Sequence, residues 1–226
     1  MPPSSNIEPF EDRSVHPPVR GFLHRPANST GDGLVLTHGA GSDSRAPLLV
    51  AVAETFSQAG LTLLRCDLPF RQRSPHGPPR PGDAARDREG LKHAVSAVQK
   101  LIPGRVFLGG LSYGGRQASM LSSVEPDLAA GLILFSYPLH PPRQPTHLRV
   151  QHLPKLRTPA LFVHGTRDPF GSIEEMENAV GAIRARTKLI RVEGAGHDLD
   201  FGRDKKEAGK PELPAIVLAH FQRFFT

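Results

Sequence analysis

Ser112 lies in Gly110-Leu111-Ser112-Tyr113-Gly114, after the apolar run Val106-Phe107-Leu108 and before a stretch of helical pattern. A serine held on a sharp strand-to-helix turn projects its hydroxyl, provided the residues two before and two after are small enough for the backbones to approach. Gly110 and Gly114 meet that condition. The motif alone decides little, because 22 glycines in 226 residues allow it by chance. Its competitors are an ordinary Gly-rich turn or a phosphate cradle, and the latter lacks both the Walker lysine and the dinucleotide spacing.

A hydroxyl needs a base to become a nucleophile near neutrality. His197 is the candidate, on the Gly-rich segment Val192-Glu193-Gly194-Ala195-Gly196-His197-Asp198. Asp168, in His164-Gly165-Thr166-Arg167-Asp168-Pro169, follows the preceding strand and is the candidate to orient the imidazole. Asp198 and Asp200 compete for that role but stand too close to His197 in sequence to approach the ring from behind. The end of the 131–135 run offers only Ser136 and Tyr137. Backbone N–H groups of Ala40, in Thr37-His38-Gly39-Ala40-Gly41-Ser42, and of Tyr113 are the expected oxyanion donors. His38 is expected to brace its turn by hydrogen bonding. No metal is expected, because His38, His164 and His197 lack ligand spacing, and no cofactor is implied.

These residues need a scaffold that places them along one edge. Apolar runs at 19–23, 33–37, 62–66, 105–108, 131–135, 160–163 and 188–192 read as strands. Amphipathic stretches at 46–59, 82–101, 115–123, 172–184 and 213–225 read as helices. Their alternation predicts an α/β chain with a mostly parallel, twisted sheet flanked by helices on both faces. Residues 1–18, polar and Pro-rich, are expected to be a flexible arm, and 19–226 a single domain. The Pro-rich loops 69–81 and 137–159 are long enough to carry function.

Composition narrows the classes. No apolar run is long enough to span a bilayer, so no membrane partner is expected. The N-terminal residues lack a basic start and an apolar stretch, which makes cytoplasmic residence the expectation. Cys66 has no partner for an internal disulfide and reads as a small buried strand residue. A net charge of +6 raises the possibility of nucleic-acid binding. Arg71, Arg73, Arg80, Arg86 and Arg88, however, are interrupted by Asp83, Asp87 and Glu89, which favours a solvated basic surface over a duplex-binding groove.

With His38-Gly39-Ala40-Gly41, the Ser112 block through Arg116, the Asp168 block and Gly196-His197 in this order, the chain resembles the α/β-hydrolase superfamily from about Val19 onward. Within it, Asp67-Leu68-Pro69-Phe70-Arg71, Gly114-Gly115-Arg116 and Tyr137-Pro138-Leu139-His140-Pro141-Pro142 are similar to a branch of small, nearly lid-less bacterial hydrolases. That branch is related to testis-expressed and chromatin-complex hydrolase-like domains. The resemblance implies a Ser–His–Asp mechanism on small-molecule acyl (ester-type) bonds through an acyl-enzyme, and specifies no substrate. Phe70, Tyr137, Leu139 and His140, with Tyr113, are the expected pocket walls. The second reading is a hydrolase-fold interaction module with little turnover. Oligomeric state is not encoded in any feature above.

Overall fold

Continuously apolar runs form the centre of one eight-stranded sheet in the computed structural model, which describes residues 6–199 and 212–226. The strands are β1 (Asn6–Asp12), β2 (Val19–Arg25), β3 (Gly33–Thr37), β4 (Thr62–Cys66), β5 (Val106–Leu111), β6 (Leu132–Phe135), β7 (Ala160–Gly165) and β8 (Thr187–Val192). Their spatial order is β1-β2-β4-β3-β5-β6-β7-β8; β4 through β8 are parallel, and β1 and β2 add an antiparallel margin. Every residue of β3, β4, β5, β6 and β7 is buried, because helices cover both faces.

The helices are α1 (Pro47–Gln58), α2 (Pro69–Arg73), α3 (Asp83–Gln99), α4 (Tyr113–Val124), α5 (Ile173–Gly181) and α6 (Leu213–Phe225). One face carries α1 and α6, where Phe56, Phe107, Phe221, Phe224 and Phe225 interlock, neighbouring rings lying 4.8–5.2 Å apart. The other carries α3, α4 and α5 over Leu64, Leu108, Leu134 and Phe162. The chain leaves β3 toward the α1 face and leaves β5 toward the α4 face. A crevice therefore opens above the carboxyl ends of these neighbouring strands, the usual ligand position in such sheets.

Within the segment expected to be a flexible arm, Asn6–Asp12 instead form a strand. Residues Asn6–Asp12 pair along their full length with Val19–Arg25. Phe10 packs on the core, and Arg25 and Arg20 meet Glu8 and Glu11 across the pair. Pro9 is compatible because β1 is an edge strand, where a missing N–H costs no ladder bond. Other expected boundaries shift by a few residues; β5 continues to Leu111, up to the turn itself. Among the described residues, no helix is long and apolar enough to cross a membrane.

β4 also carries a buried cation. Arg65 donates through Nε to His24 Nε2 at 2.8 Å and through a terminal nitrogen to the Ser44 carbonyl, and its guanidinium lies 5.1 Å from the Phe22 ring centroid. Burial, followed by the Arg65 charge, pushes the His24 pKa from 6.5 down to about 4. Unfolded His24 takes up a proton before folded His24 does, so this contribution to stability is present above about pH 6.5 and lost as pH falls toward 4. Thermal melts between pH 7 and pH 4 should show a falling Tm, with a shallower fall in His24→Gln.

Candidate active site

Ser112 stands between β5 and α4 at φ +51° and ψ −114°, a strained conformation for a residue with a side chain. Its amide donates to the Phe135 carbonyl (2.8 Å), and its carbonyl accepts from Arg116 N (2.9 Å). The turn closes because side chains are absent around it. A Cβ on Gly110 would meet Gly115 N at 2.7 Å, and one on Gly115 would meet the Gly110 carbonyl at 2.6 Å. A Cβ on Gly114 would collide with the His38 carbonyl oxygen, so this glycine admits the neighbouring loop rather than its own strand.

The loop after β7 supplies Asp168. Its side chain is fully buried, and its Oδ1 accepts from Phe170 N at 2.8 Å. A capping box between Ser172 and Glu175 then starts α5, keeping the loop short. The loop after β8 is tied to the Asp168 loop by Arg167 N to the Ala195 carbonyl (2.9 Å) and Gly194 N to Thr166 Oγ1 (2.9 Å). Gly165 permits this approach, since a Cβ there would strike the Ala195 and Gly196 carbonyls.

The structure brings the three predicted residues together. His197 Nδ1 donates to Asp168 Oδ2 at 2.8 Å, with Oδ1 at 3.0 Å, and Ser112 Oγ donates to His197 Nε2 at 2.8 Å. Phe170 packs against the imidazole, its centroid 4.1 Å away and its plane tilted by 30°. Asp198 lines the cleft, whereas Asp200 lies outside the described residues. His164, beneath Asp168, donates through Nε2 to the Gly171 carbonyl (2.9 Å), and burial lowers its pKa.

The loop after β3 is gripped from the β4 side. His38 Nδ1 donates to the Gly39 carbonyl (2.8 Å), and its Nε2 accepts from Leu68 N (3.0 Å); burial lowers its pKa and keeps it neutral. Ser42 N donates to the same Gly39 carbonyl at 3.3 Å. In a planar trans peptide these two donors also fix the opposite direction of the Ala40 N–H. Arg71, only 7% exposed, reaches four carbonyls: Ser42 and Ala40 at 2.9 and 2.8 Å, Ser74 and Gly77 at 3.2 and 3.1 Å. Tyr113 is the first residue of α4, where an amide has no acceptor within the helix. Its hydroxyl donates to the buried Asp87 carboxylate at 2.7 Å, and Asp87 also accepts from Phe70 N at 3.0 Å.

A cleft of about 670 Å³ opens over Ser112, lined by Ala40, Tyr113, Arg116, Arg149, Phe170 and His197 together with Pro78, Pro79 and Pro138. Of the expected walls, only Tyr113 is among them; Phe70, Tyr137, Leu139 and His140 are buried beneath. Phe70 sits between the His38 and Tyr113 rings, 5.6 and 5.7 Å from their centroids. Ser136, at φ +46°, turns the chain after β6. Tyr137 then packs on Phe162 with its hydroxyl on the Arg149 carbonyl (2.8 Å), while Leu139 packs beside Gly171 and His140 meets Glu175. The sequence reading missed Arg116, Arg149, Phe170 and the Arg71 clamp. Arg116 and Phe170 were findable, one helical turn after Ser112 and two residues after Asp168; nothing local marks Arg149. Cys66 is buried, its thiol pushed up to about 12 chiefly by desolvation. Among the described residues, no cluster of three or more His, Cys, Asp or Glu side chains is placed to hold a metal.

A parallel sheet with its serine on a strained turn after β5, and an acid and a histidine after β7 and β8, is the arrangement of α/β-hydrolases. The chain belongs to the alpha/beta hydrolase domain family, whose model matches residues 31–222. It is similar in fold to dienelactone hydrolase from Anabaena variabilis ATCC 29413, with 22% identity over 98% of this chain and 97% of that one and a TM-score of 0.72. Est1E from Butyrivibrio proteoclasticus matches at 18% identity, 98% and 97% coverage and a TM-score of 0.69. XC6422 from Xanthomonas campestris, described as an α/β serine hydrolase without lid, matches at 13% identity, 88% of each chain and a TM-score of 0.61.

The glycine contacts give a direct check of how the turn is held. Gly114→Ala should lower stability by about 1–3 kcal/mol, because the added methyl must displace the His38 loop. Urea denaturation of the two proteins measures the difference.

Proposed function

We propose that this chain is a serine hydrolase of small-molecule carboxylic ester-type bonds, acting through Ser112, His197 and Asp168. The reading rests above all on the hydrogen-bonded series Ser112 Oγ–His197 Nε2–His197 Nδ1–Asp168 Oδ2, with 2.8 Å at both links. His197 takes the Ser112 proton as Oγ attacks the acyl carbonyl, forming a C–O bond and a tetrahedral oxyanion. The Ala40 and Tyr113 N–H groups stabilise that oxyanion. The protonated imidazole, held by Asp168, gives its proton to the departing alcohol, leaving an acyl-Ser112. Water then attacks the ester, delivers a proton to His197, and the same steps in reverse release the acid and restore Ser112.

The connection between β6 and β7 carries only the short 3-10 turn Leu153–Lys155 as regular structure. It supports placement among the small, nearly lid-less hydrolases, and an open cleft suited to short or end-accessible acyl groups. The relatives described as a dienelactone hydrolase and as solved with ferulic acid bound are consistent with small acyl substrates. Cytoplasmic residence completes the proposal.

A fluorophosphonate probe followed by peptide mass spectrometry should label Ser112; labelling on another serine, or none, removes the assignment. Ser112→Ala should abolish ester turnover. Asp168→Asn should lower kcat by about 10³–10⁴-fold while leaving the fold intact, because the amide favours the wrong imidazole tautomer. Across p-nitrophenyl esters of increasing chain length, kcat/KM should peak at short acyl groups, and a maximum at long chains would contradict the open cleft.

A further inference from the structure

The cleft over Ser112 has an uneven charge distribution. Among its described lining residues the cations outside the Ser112–His197–Asp168 series are Arg116 and Arg149, and the carboxylate is Asp198. Among the described residues neither arginine has a carboxylate within 4 Å. Other arginines nearby are satisfied: Arg73 is paired with Asp83, Arg71 is spent on backbone carbonyls, and Arg88 donates to Gln117 Oε1 at 2.9 Å. Arg116 keeps a buried Nε without a hydrogen-bond partner. Burial first, and the Arg116 charge second, lower the Arg149 pKa, so two like charges share a partly desolvated space.

Such a pair is costly unless something negative neutralises it, and a guanidinium matches a carboxylate with two parallel hydrogen bonds. The backbone of Arg149 is set for this, its amide donating to the Leu139 carbonyl (2.7 Å) and its carbonyl accepting from Tyr137 Oη (2.8 Å). Arg116 is fixed on α4, one turn beyond Ser112, a rise of about 6 Å.

The side of the cleft tells which half of a substrate would carry the charge. His197 enters from the α1–α6 face, where its neighbours Ala195 and Leu199 are packed. The leaving group must lie with His197, which protonates it. Arg116 rises from α4, and Val150, next to Arg149, is partly buried against the core of that opposite face. The acyl half is therefore the one that extends toward the arginines.

We propose that Arg116 and Arg149 form a carboxylate-binding subsite, and that the substrates are half-esters of short dicarboxylic acids whose free carboxylate lies on the acyl side. The proposal rests on the serine-hydrolase reading above. A five-carbon diacid half-ester serves as the probe because its length is comparable to the rise of about one helical turn from Ser112 to Arg116.

The test compares p-nitrophenyl hydrogen glutarate with p-nitrophenyl glutaramate, in which a neutral amide replaces the free acid, both corrected for spontaneous hydrolysis. The wild-type enzyme should prefer the charged ester by about tenfold or more in kcat/KM, a preference that shrinks at high salt. Arg149→Met and Arg116→Met should each reduce the ratio. Glutarate should also slow fluorophosphonate labelling of wild-type Ser112 where glutaramide does not, a readout independent of how the variants fold. Turnover of the amide ester at an equal or greater rate, or a preference unchanged in both variants, overturns the subsite and leaves the hydrolase reading standing. Absence of both turnover and labelling removes the hydrolase reading and the subsite with it.

Discussion

The Gly114 Cα and the His38 carbonyl oxygen are in contact, leaving no room for a side chain between the start of α4 and the loop after β3. That contact sets the spacing on which the site depends. It brings the first amide of α4 beside a loop whose peptide direction is fixed by His38 and Ser42, and it leaves Ser112 on a turn the chain would not adopt unaided. The strain at Ser112 is held by neighbours that cannot relax without breaking the sheet: Phe135 through its carbonyl on one side, Gly110 and Gly115 in van der Waals contact on the other.

Much of this was readable from the chain because it rests on local rules. The strands at 33–37 and 62–66 coincide with β3 and β4, since runs buried on both faces are predominantly apolar, with Arg65 the buried cation among them. Gly110 and Gly114 announced close backbone approach, and Ser112, Asp168 and His197 each sat next to a legible strand end. What resisted reading was decided by tertiary turns. Pro9 and a polar composition concealed β1, whose stability comes from pairing with β2 rather than from its own propensity. Tyr137, Leu139 and His140 were placed on the right loop, and Phe70 on a segment that begins as α2, but each on the wrong side. The direction of a side chain after a strand end depends on the first loop dihedrals, and Ser136 at φ +46° sends Tyr137 inward.

The walls that replaced those residues differ in character. Pro78, Pro79, Pro138 and Phe170 are stiff and lose little freedom when a ligand arrives, while Arg116 and Arg149 bring charge. Rigid apolar sides with a localised cationic region favour ligands that combine a small hydrocarbon body with a defined polar end.

The Arg71 guanidinium bears on how such a site can change over generations. All four of its hydrogen bonds end on main-chain carbonyls, at Ala40, Ser42, Ser74 and Gly77. A tether of this kind is indifferent to the side chains of the residues it holds. Substitutions in the two loops bordering the cleft can therefore reshape its rim while the loop backbones stay in place. One buried cation thus separates inheritance of the reaction from drift in what the enzyme accepts.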